Sequence, residues 1–141
     1  MLVGNYSHKL DGKGRTVLPA RFRGELGTTV IATIGFDRCI ALYSSAQWEE
    51  FVGKIKALPS FKKKTRDICF LLNSMATEQE IDAAGRILLS NKQKEYAGLE
   101  QDITIIGQED HVEIWDTKTF EENRKSLLSE FGNLAEELED I

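Results

Sequence analysis

Apolar and polar positions along this chain fall into two alternating styles. Residues 28–34 (TTVIATI), 39–43 (CIALY), 103–106 (ITII) and 112–115 (VEIW) are short runs rich in β-branched and aromatic residues. Such runs predict buried strands, with turns at 35–38 and 107–110. Weaker strands are predicted at 3–9, 16–18, 77–81 and 87–89, on either side of two glycine-bearing turns. Elsewhere the apolar residues recur every three or four positions, which predicts helices. One helix begins at Ser44, where Gln47 completes a capping-box spacing. It places Trp48, Phe51, Val52, Ile55 and Leu58 on one face, and Pro59 stops it. A second follows with Phe61, Ile68, Leu71, Leu72 and Met75 inward. Shorter helices are predicted at 19–26, ended by Gly27, and at 90–97. The chain closes on an acidic helix capped by Asp116 or Thr117. Phe120, Leu127, Phe131, Leu134 and Leu138 form its apolar seam, and Gly132 is a candidate point of interruption.

The second half of the chain repeats the first. Residues 10–23 (LDGKGRTVLPARFR) return as 81–91 (IDAAGRILLSN), with Asp11, Gly14 and Arg15 mapping onto Asp82, Gly85 and Arg86. Beyond the first strands, Gly35, Ile40, Leu42 and Trp48 map onto Gly107, Val112, Ile114 and Phe120, one position further apart. Gly12 and Gly14 can take positive φ, so the chain is expected to reverse there between two paired strands. Pro19 suits a first helical position. A core of about 70 residues rarely supplies more than ~3–5 kcal/mol, so the halves are expected to share a core or lean on other subunits. The expected divisions are 1–60, a first repeat with its helix; 61–76, a connecting helix; 77–120, a second repeat; and 121–141, an acidic helix or tail.

Composition narrows the function. The 141 residues are 41% hydrophobic and 29% charged, ordinary for a globular protein. With neither an 18-residue apolar run nor a charged-then-apolar leader, neither a membrane span nor a signal peptide is expected. Cys39 and Cys69 stand apart from any CxxC spacing and are expected to be buried reduced thiols, which suits a cytoplasmic protein. His8 and His111 have no carboxylate or cysteine at ligand spacing, so no metal or other cofactor is expected. Glu78, Glu80 and Asp82 could mimic a carboxylate pair, but nothing supplies a nucleophile, a metal or a phosphate loop. An enzyme acting on a small-molecule substrate is therefore not expected.

The net charge of −5 is unevenly spread. Residues 1–24 hold Lys9, Lys13, Arg15, Arg21 and Arg23 against Asp11 alone, whereas residues 121–141 hold seven acids against Arg124 and Lys125. A local anion-binding face beside an acidic tail produces this asymmetry. Lysines and arginines on a protruding turn can neutralise phosphates, and an arginine fork can bond guanine O6 and N7. The candidate DNA contacts are Lys13, Arg15, Arg86, Arg21 and Lys9. Asp11 and Asp82 are expected to orient the turns, since carboxylates repel phosphate. The bland alternative is that both Asp–Arg pairs merely hold hairpin geometry. Residues 62–64 (KKK) read as a solvated helix start. A rival function is an oligomeric protein-binding module whose basic turns face an acidic partner such as its own tail.

The doubled Asp-x-x-x-Arg motif, with Leu18-Pro19-Ala20 after the first copy and residues 107–115 (GQEDHVEIW) after the second, resembles the MraZ family over essentially the whole chain. That resemblance implies an α+β fold of two pseudo-symmetric AbrB-like swapped-hairpin β-barrel halves sharing a core, with flanking helices. It also implies an octamer-like homo-oligomeric ring and a nucleoid-associated bacterial transcriptional regulator. Such a regulator binds short direct repeats in double-stranded DNA upstream of the division and cell wall operon containing its own gene. The family's motif residues carry over onto Asp11, Arg15, Asp82 and Arg86, with Lys13 at the basic turn position. One departure is Leu89-Ser90-Asn91, where many relatives continue into a proline. Residues 78–95 also carry a net charge of −1, so the second motif is expected to add less DNA affinity than the first.

Overall fold

A computed structural model describes residues 1–138. The strands are β1 (Asn5–Lys9), β2 (Arg15–Val17), β3 (Thr29–Ile34), β4 (Ile40–Ser44), β5 (Thr77–Glu80), β6 (Arg86–Leu88), β7 (Asp102–Gly107) and β8 (Val112–Asp116). The helices are α1 (Ala20–Leu26), α2 (Ser45–Lys56), α3 (Lys63–Ser74), α4 (Asn91–Ala97) and α5 (Thr117–Glu137). Six strands form one antiparallel sheet in the order β1-β7-β8-β4-β3-β5, and β2 pairs with β6 as a separate ribbon.

Both halves contribute to each end of that sheet. β1 of the first repeat pairs with β7 of the second, and β5 of the second pairs with β3 of the first. The hairpins expected at the two Asp–Arg turns therefore do not form, whereas β3–β4 and β7–β8 do pair as hairpins. The strands flanking each turn diverge, and each finds its ladder partner in the other repeat. The turns reverse the chain without pairing its two arms. The shared core follows from this exchange: Leu18, Phe22, Ile40 and Leu42 pack with Ile87, Leu89, Ile103 and Ile114 in one cluster. Tyr6 meets Phe22 edge-on, with ring centroids 5.2 Å apart.

Patterning explains which strands lie where. β3 and β4 are buried along almost their whole length, because helices cover the central sheet, and so they read as continuous apolar runs. β1 and β5 at the sheet edges alternate instead, with Tyr6, His8, Thr77 and Gln79 half-buried. Pro19 sits one position earlier than expected, as the N-cap of α1. Ser44 Oγ accepts from the Gln47 amide at 3.2 Å, but the reciprocal capping box belongs to α4. There Ser90 Oγ accepts from the Gln93 amide at 3.1 Å and Gln93 Oε1 accepts from the Ser90 amide at 3.0 Å.

Three further expectations are corrected. Of the residues expected inward on the second long helix, only Leu72 is buried, while Phe61, Ile68 and Leu71 are exposed. Met75 is half-buried, as is Trp48 on α2, whose own seam ends in an exposed Leu58. Cys39 is buried and Cys69 only partly so, both as free thiols. Gly132 does not interrupt α5, which runs unbroken with Asp116 at its N-cap. Asp116 accepts from the Glu100 amide at 3.1 Å rather than capping its own helix. The last acids of the expected tail, Glu139 and Asp140, lie outside the described residues.

Candidate nucleic-acid interface

The two turns are built alike, atom for atom. Asp11 Oδ1 accepts from the amides of Lys13 and Arg15, both at 2.9 Å, and its Oδ2 accepts from Arg15 Nε at 3.0 Å. Asp82 Oδ1 accepts from the amides of Ala84 at 2.9 Å and Arg86 at 2.8 Å, and its Oδ2 from Arg86 Nε at 2.9 Å. Main-chain bonds close each loop, from Gly14 N to Asp11 O at 3.0 Å and from Gly85 N to Asp82 O at 2.9 Å. Gly14 and Gly85 carry φ of 85° and 80°, a region costly for residues with a Cβ. Gly12 does not take positive φ.

These bonds set the electrostatics. The Arg15 amide, helped by the Lys13 amide and the Arg15 guanidinium, outweighs the desolvation penalty and holds the Asp11 carboxyl at about 2. Asp82 is lowered in the same way, first by the Arg86 amide and then by its side chain. Both aspartates are thus ionised at neutral pH. Each grips the Nε side of its arginine, leaving the Nη edge without a partner among the described residues.

The ribbon joins the two turns. Arg15 pairs with Leu88, Thr16 with Ile87 and Val17 with Arg86. Thr16 and Ile87 point inward and are buried. By alternation, Arg15, Val17, Arg86 and Leu88 share the outer face. The two arginines lie diagonally across it, about 7–8 Å apart by ordinary ladder geometry. Leu18 N donates to Gly85 O and Leu89 N to Gly14 O, each at 2.9 Å, so each strand end ties down the opposite turn. The Gln79 side chain seals the outer edge of β6, donating to Leu88 O at 2.8 Å and accepting from Leu88 N at 2.7 Å.

The ribbon thus brings together Arg15 and Arg86, with an exposed Lys13 at the first turn. Arg21 is exposed on the first turn of α1. Lys9 stands apart in an exposed ion pair with Asp102 at 2.9 Å. Sequence reasoning missed two cations as site candidates. Arg23 packs over Gly85 and donates to Leu18 O at 3.1 Å, and Lys94 stands over Gly14. The duplication contained the signal, because Arg23 and Lys94 are equivalent positions in the two repeats.

His111 also departs from expectation, since it does have carboxylate neighbours. Its Nδ1 lies 2.6 Å from Asp110 Oδ1 and its Nε2 lies 2.9 Å from Glu113 Oε2. Glu113 accepts in addition from Trp115 Nε1 at 3.0 Å and Gln108 Nε2 at 3.3 Å. Among the described residues no group of His, Cys, Asp and Glu is arranged to hold a metal ion, and no helix is long and apolar enough to cross a membrane.

Comparison with known proteins agrees with the internal duplication. A family model described as "MraZ protein, putative antitoxin-like" matches twice, over residues 1–71 and 72–140. The chain is 40% identical over 141 residues to a protein of Thermoanaerobacter pseudethanolicus named "Transcriptional regulator MraZ", covering 100% of this chain and 99% of that one. Proteins of the same name from Natranaerobius thermophilus and Moorella thermoacetica are 39% and 38% identical over the same span. Matched along its whole length and once in each repeat, the chain belongs to the MraZ family.

Proposed function

We propose that this protein is a transcriptional regulator that binds double-stranded DNA through the outer face of the β2–β6 ribbon and its two turns. The observation that carries the reading is the pair of Asp-braced, half-exposed arginines, Arg15 and Arg86, on one outer face with no partner at Nη among the described residues. A guanidinium held at Nε keeps its outer nitrogens for phosphate or for guanine O6 and N7. Lys13 adds a phosphate contact at the first turn. Lys9 and Arg21 would contribute from the periphery, Lys9 only by giving up Asp102. In this reading the exchanged strands are the swapped-hairpin barrel of AbrB-like proteins, built from two halves of one chain.

One ribbon offers few contacts. A homo-oligomeric ring, octamer-like, would present the ribbon at fixed intervals and multiply weak contacts through effective concentration. Short direct repeats upstream of the protein's own division and cell wall operon would match that spacing. The site of action is then the nucleoid within the cytoplasm, and the reading requires neither catalysis nor a cofactor.

Mobility shift on DNA from upstream of the gene tests this. Arg15→Ala and Lys13→Ala should weaken binding while the oligomer mass stays constant, and affinity should fall steeply with salt. Unchanged affinity in both variants would refute the site. Absence of DNA binding by the wild type at low ionic strength, with the oligomer intact, would favour the protein-binding module instead.

A further inference from the structure

We propose that the C-terminal half of α5 from one copy of this chain docks in the groove between α2 and α3 of a second copy. This rests on the homo-oligomer part of the reading above and supplies it with a contact surface. Beyond its first turn, where Phe120 packs on Trp115, the α5 seam is only loosely covered among the described residues, facing Ile106 and Trp115 of its own sheet across an open cavity of about 390 Å³. Leu127, Leu128, Phe131 and Leu134 are between 44% and 68% exposed. Helices draw most of their stability from packing an apolar face, so a seam this open calls for a cover.

The groove between α2 and α3 is open in the same way. It has a volume of about 610 Å³ and is lined by Ile55, Leu58, Cys69 and Phe70, with Lys56 and Arg66 beside them, and no residue of α5 reaches it. Phe70 is 70% exposed and neighbouring Phe61 80%. Of these, Phe61 was expected to face inward.

Charge selects the occupant. Residues 54–66 hold Lys54, Lys56, Lys62, Lys63, Lys64 and Arg66 and no acid, whereas residues 126–138 hold Glu130, Glu136 and Glu137 and no base. Local partners engage Lys54 through Glu50 and Lys63 through Asp67. Arg66 donates to the carbonyls of Ser60 and Phe61. Lys56, Lys62 and Lys64 have no partner among the described residues. Pairing α5 with a second α5 would set glutamates against glutamates, and pairing two α2–α3 corners would set lysines against lysines. Only the crossed contact brings opposite charges together, and like-charge juxtaposition is what excludes wrong partners. Passed on from each copy to a different one, rather than exchanged within a pair, a crossed contact is heterologous. Such contacts generate rings when the rotation closes.

Light scattering of the full chain tests the contact by charge exchange. E130K/E136K/E137K in one variant, and K56E/K62E/K64E in another, should each reduce the oligomer mass at least twofold. All six changes together should restore it. Unchanged mass in both triple variants, or no restoration in the sixfold variant, would overturn the contact while leaving an oligomeric wild type intact. A monomeric wild type would overturn the oligomer reading and this contact with it. A milder variant guards against misfolding. Under mild oxidation Leu134→Cys should form an intermolecular disulfide that disappears when Cys69→Ser is added. A crosslink that survives Cys69→Ser, one formed within a single chain, or none at all counts against the proposal.

Discussion

A side chain on Gly85 would run into the guanidinium of Arg23, which lies over that turn while donating to the Leu18 carbonyl at 3.1 Å. Arg23 belongs to α1 of the first repeat and Gly85 to the turn of the second. The reciprocal contact exists as well, with Lys94 of α4 standing over Gly14. Each repeat therefore braces the other's turn with a cation, and the ribbon between them becomes one rigid unit.

Gly85→Ala should consequently destabilise the fold by about 1–2 kcal/mol from positive φ alone, with Arg23 displaced in addition. Gly12→Ala is the internal control, because that glycine has no positive φ and open space around it. It should stay within about 0.5 kcal/mol of wild type. Urea denaturation at fixed protein concentration compares the two. Equal losses would mean that neither the positive φ nor the cross-repeat brace at Gly85 contributes.

Asp11→Ala should weaken DNA binding although it removes a negative charge from a basic turn. The carboxylate holds two amides and Arg15 Nε. Without it, both the loop and the guanidinium must be ordered on docking. A fall of about tenfold corresponds to about 1.4 kcal/mol, the scale of one ordinary hydrogen bond. Titration by fluorescence anisotropy checks the sign. Tighter binding would show that Asp11 acts only as a repulsive charge.

Much of this architecture was legible in the chain, for identifiable reasons. Strands β3, β4, β7 and β8 announce themselves because they are buried along most of their length, so their runs are dominated by apolar and β-branched residues. The paired turns were visible because Asp, Gly and Arg recur at equal spacing. Strand exchange was not visible: residues next to a glycine turn read as a hairpin whether they pair with each other or with another strand. Nor could periodicity tell Leu72, which faces its own sheet, from Phe61 or Leu71, which face solvent. A helix seam looks the same whether its cover lies in the same chain or elsewhere. Lys9 read as a free cation because Asp102, its partner, lies 93 positions away.

Gln93 ties the second repeat to the first and should tolerate substitution poorly. It is fully buried, and its Nε2 lies 3.1 Å from Ala32 O, 2.9 Å from Met75 O and 3.3 Å from Thr77 Oγ1. Its Oε1 also completes the cap of α4. Gln93→Leu keeps the volume but removes these donors, and should cost about 1–3 kcal/mol. The denaturation midpoint should drop accordingly, and an unchanged midpoint would mean that relaxation or water replaces every bond.

His111 should make stability fall as pH rises past the ordinary imidazole value. Burial pulls its imidazole pKa down, but hydrogen bonds and charge from Glu113 and Asp110 outweigh this and leave it above the ordinary 6.5. Glu113 behaves oppositely. Burial raises it, yet bonds from His111, Trp115 and Gln108 hold it below 4.5. A group whose folded pKa is raised stabilises fully below its unfolded value and loses that contribution as pH rises through the folded value. A lowered carboxylate stabilises above its unfolded value and loses that as pH falls. The imidazolium–Glu113 pair should therefore contribute most between 4.5 and 6.5, where it fixes the β7–β8 turn against Tyr43, whose ring stacks on His111 with centroids 5.2 Å apart. Thermal melts from about pH 5.5 to about pH 8.5, bracketing the free imidazole value, should show wild type losing Tm as pH rises past that value. His111→Gln should start lower and show a flatter profile there. Parallel profiles for the two proteins would mean that the pair does not titrate in that window.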